Sequence, residues 1–105
     1  MKIRRMFISI LICVGCGSNL AQASVDCPPS NIKHVQVETD KVLVLPEGQA
    51  WHLIGFISQP GTKEMLSVVL AAQLADRKVV VRYPDGYDCT NYDLSTPALM
   101  VRLYN

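Results

Sequence analysis

The chain has 105 residues, half of them hydrophobic, and a formal net charge of +1 at pH 7. All nine acidic residues but only seven of the ten basic residues follow position 23, so residues 24–105 carry a small negative charge. No basic run or stripe is present, which excludes nucleic-acid binding driven by phosphate neutralisation and disfavours binding to an anionic membrane surface.

The first 23 residues have the pattern of a secretory signal. A basic start (positions 2–5) and an apolar run (6–14) precede an A-x-A cleavage site that ends at Ala23. The run is too short to span a bilayer. We therefore predict a signal peptide over 1–23 and one secreted or periplasmic domain over 24–105. The alternative is a lipoprotein acylated at Cys16, although Cys13 stands where such signals usually have leucine.

Cleavage after Ala23 would leave two cysteines, Cys27 and Cys89. In an oxidising compartment such a pair predicts a structural disulfide. A domain of this size has a limited core, and the chain-entropy model values a bridge of this span at about 4 kcal/mol. A free catalytic thiol is the poorer alternative, because exposed cysteines outside the cytoplasm tend to be oxidised.

Apolar patterning after the leader predicts three strands, over 32–38, 42–45 and 51–57. Gly55, within the third strand, indicates a bulge or a close backbone approach. The adjacent Trp51 and His52 must face opposite sides of a strand. We expect Trp51 to lie in the core and His52 at the surface.

One helix is predicted next, with Thr62 as N-cap and its end at about Ala75 or Asp76. The core face at helical spacing is formed by Met65, Val68, Val69 and Ala72. A second stripe at i, i+4, i+8 is formed by Leu66, Leu70 and Leu74. An exposed aliphatic stripe usually marks an interface, so these leucines are the candidate contact of a homo-oligomer. Cover by loops of the same chain is the alternative.

Two further strands, over 79–83 and 98–104, flank a polar loop from Pro84 to Pro97. Its tyrosines can stack on a sugar or a partner, and its polar side chains can form hydrogen bonds. A disulfide at Cys89 would reduce the entropic cost of ordering the loop on binding. The candidate ligand-binding residues are Tyr83, Asp85, Tyr87, Asp88, Asn91 and Tyr92. The alternative is an ordinary surface connection, because Pro84-Asp85-Gly86 is a turn signal by itself.

Three strands, a helix and two strands is the order of an OB-type barrel. We expect a β-rich α+β domain, a small OB-fold-like five-stranded antiparallel barrel with one helix between strands 3 and 4. An open antiparallel sheet covered by one helix has the same order, and the pattern does not separate the two.

The segment from Thr62-Lys63-Glu64-Met65-Leu66 through Ala71-Ala72 to the Val-rich strand at 78–83 resembles part of the B subunits of AB-type bacterial toxins. The resemblance is to the subtilase cytotoxin, typhoid toxin and pertussis toxin group, and covers about a third of the domain. It implies an exported, disulfide-bonded OB fold that forms rings and binds cell-surface glycans. None of that family's sugar-contacting residues is matched one by one.

Catalysis is not expected from these residues. His34 and His52 are the only histidines and have no metal-ligand spacing, the serines lack a nucleophile-elbow context, and no glycine-rich loop is placed to hold phosphate. The acidic residues of the loop do not follow the calcium-loop pattern, so neither a metal nor a cofactor is expected. We expect a non-enzymatic module that binds a glycan or a cell-surface or protein partner. The alternatives are a monomeric periplasmic accessory or inhibitor acting by protein–protein contact, and a structural subunit of an envelope assembly.

Overall fold

The computed structural model of the protein describes residues 23–105. The predicted signal peptide, apart from Ala23, and the alternative lipidation site at Cys16 lie outside these residues. Within 23–105 the chain forms six strands and one helix. In chain order these are β1 (Ser24–Asp26), β2 (Ile32–Val37), β3 (Lys41–Pro46), β4 (His52–Phe56), α1 (Thr62–Leu74), β5 (Lys78–Pro84) and β6 (Met100–Tyr104).

The strands pair in two three-stranded antiparallel sheets, with the orders β1-β5-β6 and β2-β3-β4. The predicted β-rich α+β class is confirmed. The predicted five-stranded OB-like barrel is corrected, because the described residues form six strands in two antiparallel sheets and no closed barrel. The additional strand, β1, arises where the segment before Cys27 pairs with the end of β5, from Ser24 opposite Pro84 to Asp26 opposite Arg82.

Isolated backbone contacts join the two sheets. Ser30, just before β2, forms an antiparallel bridge with Val79 of β5, and His52 of β4 forms a parallel bridge with Asp93. The backbone N–H of Ala98 donates to the carbonyl of Ile54 over 3.0 Å. The segment between β5 and β6 therefore lies along β4, although it is far from β4 in sequence.

Bulges explain two irregular features of the sequence pattern. The register of β2 on β3 shifts between Ile32 and His34, so the inward positions Ile32 and Val35 are three residues apart rather than two. The register of β3 on β4 shifts between Val42 and Leu43, next to the Val42–Gly55 pair. A side-chain carbon at Gly55 would clash with Oγ1 of Thr62. Gly55 therefore lies next to a bulge, and the close approach of Thr62 requires a glycine there, in line with the prediction of a bulge or a close approach.

The helix begins differently from the prediction. Gly61, with φ of 90°, is the N-cap and offers no side-chain hydrogen bond, whereas Thr62 is the first helical residue. Thr62 is 1 % exposed, because its side chain turns inward over Gly55 instead of capping the helix. Its Oγ1 has no hydrogen-bond partner among the described residues.

The core lies between the helix and the inner faces of the sheets. Val69 and Ala72 of α1 are fully buried and join Val42, Ile54 and Val81 in the main apolar cluster. The predicted core face of the helix is thus correct at these two positions. Burying apolar surface at such sites stabilises the folded state by about 25 cal/mol for each Å² removed from water.

The leucine stripe of α1 divides between core and surface. Leu66 is partly buried and packs against the core cluster. Leu70 is 40 % exposed and Leu74 is 89 % exposed. Leu70 and Leu74 are therefore the large apolar side chains of the helix that are exposed.

Candidate ligand-binding site

The loop that follows β5 starts with a tight turn. Gly86 has φ of 85°, a left-handed conformation that favours glycine, and the backbone N–H of Tyr87 donates to the carbonyl of Pro84 over 3.2 Å. The turn reverses the chain and directs Tyr87 back towards the end of the strand. The sequence signal Pro84-Asp85-Gly86 is therefore confirmed as a turn.

A disulfide between Cys27 and Cys89 fixes the middle of this loop, as predicted. The two Cα atoms are 5.6 Å apart and the residues are 62 positions apart in sequence. Cys27 is 2 % exposed, and its backbone N–H donates to the carbonyl of Val81 over 2.9 Å. The loop is thus attached covalently to a residue that is itself held by β5.

Two tyrosine rings stack beneath the loop. The rings of Tyr83 and Tyr87 are parallel to within 8°, with centroids 3.8 Å apart. Tyr83 is fully buried, and its hydroxyl donates to the carbonyl of Leu53 over 2.9 Å. Burial raises the pKa of both phenols, that of Tyr87 to about 12, so both stay protonated at neutral pH.

The prediction that Tyr83 contacts a ligand is therefore corrected. Its side chain points inward from β5 and reaches across the core to β4, so none of its surface is available to a ligand. Tyr83 instead supports Tyr87 from below.

His52 is buried next to this stack, in contrast to the surface position expected from the sequence. Its side chain is 0 % exposed, and its ring centroid lies 5.5 Å from those of both Tyr83 and Tyr87. Trp51 takes the outward position instead, where it is partly exposed and stacks on His34 at 6.3 Å. The two faces of the strand are thus exchanged relative to the prediction.

Both ring nitrogens of His52 have hydrogen-bond partners. Nε2 lies 3.0 Å from Oε1 of Gln49, and Nδ1 lies 2.7 Å from the hydroxyl of Tyr87. The amide nitrogen of Gln49 donates to the carbonyl of Pro28 and to Oγ of Ser30, which fixes Oε1 as the atom facing the imidazole. Nε2 therefore carries the proton, and Nδ1 accepts from Tyr87.

The environment of His52 favours its neutral form. Burial lowers its pKa below the ordinary value of 6.5, while the charge of Asp93 and the backbone of Cys89 act in the opposite direction. The Asp93 oxygens accept hydrogen bonds from Ser95 and Thr96, and those contacts do not extend to the imidazole. At neutral pH the ring is an uncharged acceptor for Tyr87.

Two aspartates shape the rest of the loop. Asp93 accepts hydrogen bonds from the backbone N–H groups of Ser95 and Thr96 at 2.8 and 3.0 Å, which lower its pKa. Asp88 accepts from the hydroxyl and backbone N–H of Thr90, which lower its pKa as well. These side-chain hydrogen bonds satisfy backbone N–H groups that have no strand partner in a loop. Both carboxylates are therefore charged at neutral pH.

The loop forms an open surface pocket of about 340 Å³ at the end of β5. We call it the loop pocket; it is lined by Pro84, Asp85, Gly86, Tyr87, Asp88, Asn91, Tyr92, Asp93 and Thr96. Five of the six predicted ligand-binding residues line it, and Tyr83 does not. Tyr92 is 69 % exposed at its edge. The lining combines carboxylates, an amide and two aromatic rings, and it contains no basic side chain.

Sequence reasoning placed His52 at the surface and gave no role to Gln49 or Ser30, and these three residues connect the loop to the segment beside Cys27. The pattern of β4 gave no signal that His52 is buried, because four successive residues, from His52 to Gly55, are all buried. A strand covered on both faces shows no alternation of polar and apolar residues.

Residues 23–105 contain no cluster of three or more histidine, cysteine or acidic side chains arranged to hold a metal ion. In the same part of the chain, no helix combines the length and apolar character needed to cross a membrane. Comparison with protein-family models, with curated proteins and with solved structures finds no match in any of the three.

Proposed function

We propose that the protein is a secreted or periplasmic non-enzymatic binding module that recognises a glycan through the loop pocket. The observation that carries this proposal is the pocket itself, in which an exposed aromatic ring stands beside hydrogen-bonding side chains. Tyr92 offers an exposed ring face, and Asp85 and Asn91 offer polar groups within the same lining. A sugar presents matching features, an apolar ring face and a rim of hydroxyl donors.

The rigidity of the site supports a binding role. Immobilising a loop on binding costs about 0.5–1.5 kcal/mol for each flexible side chain. Here the disulfide holds Cys89, and the hydrogen bond to His52 holds Tyr87 before any ligand arrives. A pocket assembled in advance spends less of its interaction energy on ordering.

Export is supported by the leader-like start of the sequence and by the disulfide. Disulfides persist in oxidising compartments and are rare in the cytosol. The Cys27–Cys89 pair is the element of this proposal that the fold displays directly.

An open, OB-like arrangement of the strands is part of the same proposal. β1 pairs with β5, and Ser30, between β1 and β2, forms a bridge with Val79 of β5, so the pairing with β5 continues beyond β1. The parallel bridge between His52 and Asp93 brings the chain between β5 and β6 beside β4. This neighbour order is compatible with kinship to toxin B subunits, which we retain as a proposal with the glycan ligand.

A glycan-array screen of the purified domain tests the binding proposal, followed by titration of the best ligand. Tyr92→Ala is expected to weaken affinity at least tenfold, the equivalent of about 1.4 kcal/mol. The matched control is Tyr104→Ala, because Tyr104 is also exposed but pairs with Lys78 at the opposite end of β5. Equal affinity of the Tyr92 variant and the wild type would refute the proposed site.

A protein partner is the second candidate, and the exposed pair Leu70 and Leu74 favours it. Exposed aliphatic patches on small proteins often mark contacts. This surface would serve either a homo-oligomer or the target of a monomeric inhibitor. Light scattering with the wild type and with Leu70→Ser/Leu74→Ser distinguishes these uses: self-association that the double variant abolishes supports the oligomer, and a monomeric wild type contradicts it.

A further inference from the structure

We propose that His52 is a positioning residue that holds the loop pocket closed while its ring is neutral, so that acidification opens the loop and releases the ligand. This inference concerns regulation of the proposed binding site and rests on that proposed function. Its physical part, the opening of the loop, is measurable without any ligand.

The first step is that His52 is the internal attachment point of the loop. The Tyr87 hydroxyl donates to Nδ1 over 2.7 Å, and Tyr87 is a wall of the pocket. On the other side of the ring, Gln49 and Ser30 fix the position of the imidazole. The position of a pocket wall is thus set by a buried side chain on a different sheet.

The second step is that a charged imidazole does not suit this site. A protonated ring has two N–H donors and no acceptor, so it would lose the hydrogen bond that Tyr87 donates. The groups facing it are Tyr83 of β5, Gln49 of the preceding turn, and from the loop Tyr87, Asp93 and the backbone of Cys89. Asp93 is the charged member, and its contacts are with Ser95 and Thr96. The backbone of Cys89 favours the charged ring as well, but burial outweighs both contributions, because a buried charge is strongly disfavoured.

The third step is that opening the loop is the simplest way to hydrate the ring. Tyr87 and the segment up to Asp93 cover His52, whereas the opposite side of the ring faces β5 and the core. The disulfide at Cys89 limits the displacement and keeps the loop attached. Opening is therefore local and reversible.

The direction with pH follows from the lowered pKa of His52 in the closed state. Above the ordinary value of 6.5, neither the closed nor the open state binds a proton at this site, and closure is fully favoured. As the pH falls below 6.5, the open state gains a proton first. The population of open loop then rises by up to about tenfold per pH unit until the closed form is protonated as well.

The test is amide hydrogen exchange across pH 7.5 to 4.5, corrected for the intrinsic rate at each pH. We expect protection of amides in 85–96 to decrease by about tenfold per unit below pH 6.5, while core amides of β3 remain protected. His52→Gln is expected to abolish this pH dependence. The matched control is His34→Gln, which removes the other histidine of the chain and is expected to retain it.

If His52→Gln fails to fold, the wild-type protein still decides the matter by NMR. The inference requires an Nε2–H tautomer at pH 7.5 and a titration of His52 that coincides with the loss of protection in the loop. Loop protection that is independent of pH, or that changes equally in His52→Gln, would overturn it. Failure to bind any glycan would refute the proposed function alone, because loop opening is observed in the free protein.

Discussion

The hydroxyl of Tyr87 donates to Nδ1 of the fully buried His52 over 2.7 Å, which links the loop after β5 to β4 of the other sheet. Tyr87→Phe keeps the stacked ring but removes the donor and leaves a buried nitrogen unpaired. We expect the free energy of unfolding to fall by about 1–3 kcal/mol at pH 7.5. Urea denaturation measures this loss, and the exposed Tyr92→Phe is the matched control, expected to be neutral. Equal stabilities of the two variants would contradict the importance of this hydrogen bond.

Loss of the disulfide should destabilise the whole domain. Cys27→Ser and Cys89→Ser each remove a tie between residues 62 positions apart, which the chain-entropy model values at about 4 kcal/mol. We expect a large fall in melting temperature for both single variants and a similar fall for the double variant. An unchanged melting temperature in the oxidised and reduced wild type would show that the bridge contributes little.

Gly55 is expected to tolerate no side chain. In Gly55→Ala the added methyl group meets Oγ1 of Thr62, and overpacking of this kind typically costs about 1–3 kcal/mol. The double variant Gly55→Ala/Thr62→Ala is the control, because it removes the atom that the methyl group meets. Thermal denaturation should show a marked loss for the single variant and recovery of most of it in the double variant. Additive losses would place the strain elsewhere.

Asp93 is expected to stabilise the loop as a charged acceptor. Asp93→Asn retains one acceptor oxygen for Ser95 and Thr96 but loses the charge, and we expect a loss of about 1 kcal/mol at pH 7, roughly 4–8 °C in melting temperature. The pKa of Asp93 is lowered, so this stabilisation is present above its ordinary value of 3.8 and is lost as the pH falls below it. Melting curves from pH 7 to 3 should therefore converge for the two proteins at acid pH. Asp85→Asn is the control, expected to leave the melting temperature unchanged.

The sequence predicted the features that depend on local pattern or on elimination. The Cys27–Cys89 bridge followed from the two cysteines that lie after the predicted leader, and the inward face of α1 followed from helical spacing at Val69 and Ala72. The turn at Gly86 followed from the chemistry of its residues. Each of these signals lies within a few residues or in a simple count.

The features that were predicted wrongly depend on contacts between distant segments. His52 is buried because residues 84–97 fold over β4, and the sequence of β4 itself does not indicate that another segment covers it. Thr62 turns inward because Gly55 leaves room for it, so it does not act as the N-cap. The two sheets depend in part on the pairing of β1 with β5, which are far apart in sequence, and the order of elements along the chain does not specify that pairing.

The most direct test of the proposed binding role is to map the bound ligand by NMR. A glycan selected from the array is titrated into the isotopically labelled domain, and shifts of the backbone amides are followed. Binding through the loop pocket predicts shifts concentrated in residues 85–96, with the amides around Leu70 and Leu74 unaffected. Shifts centred on α1 or β6, with the loop unchanged, would contradict it.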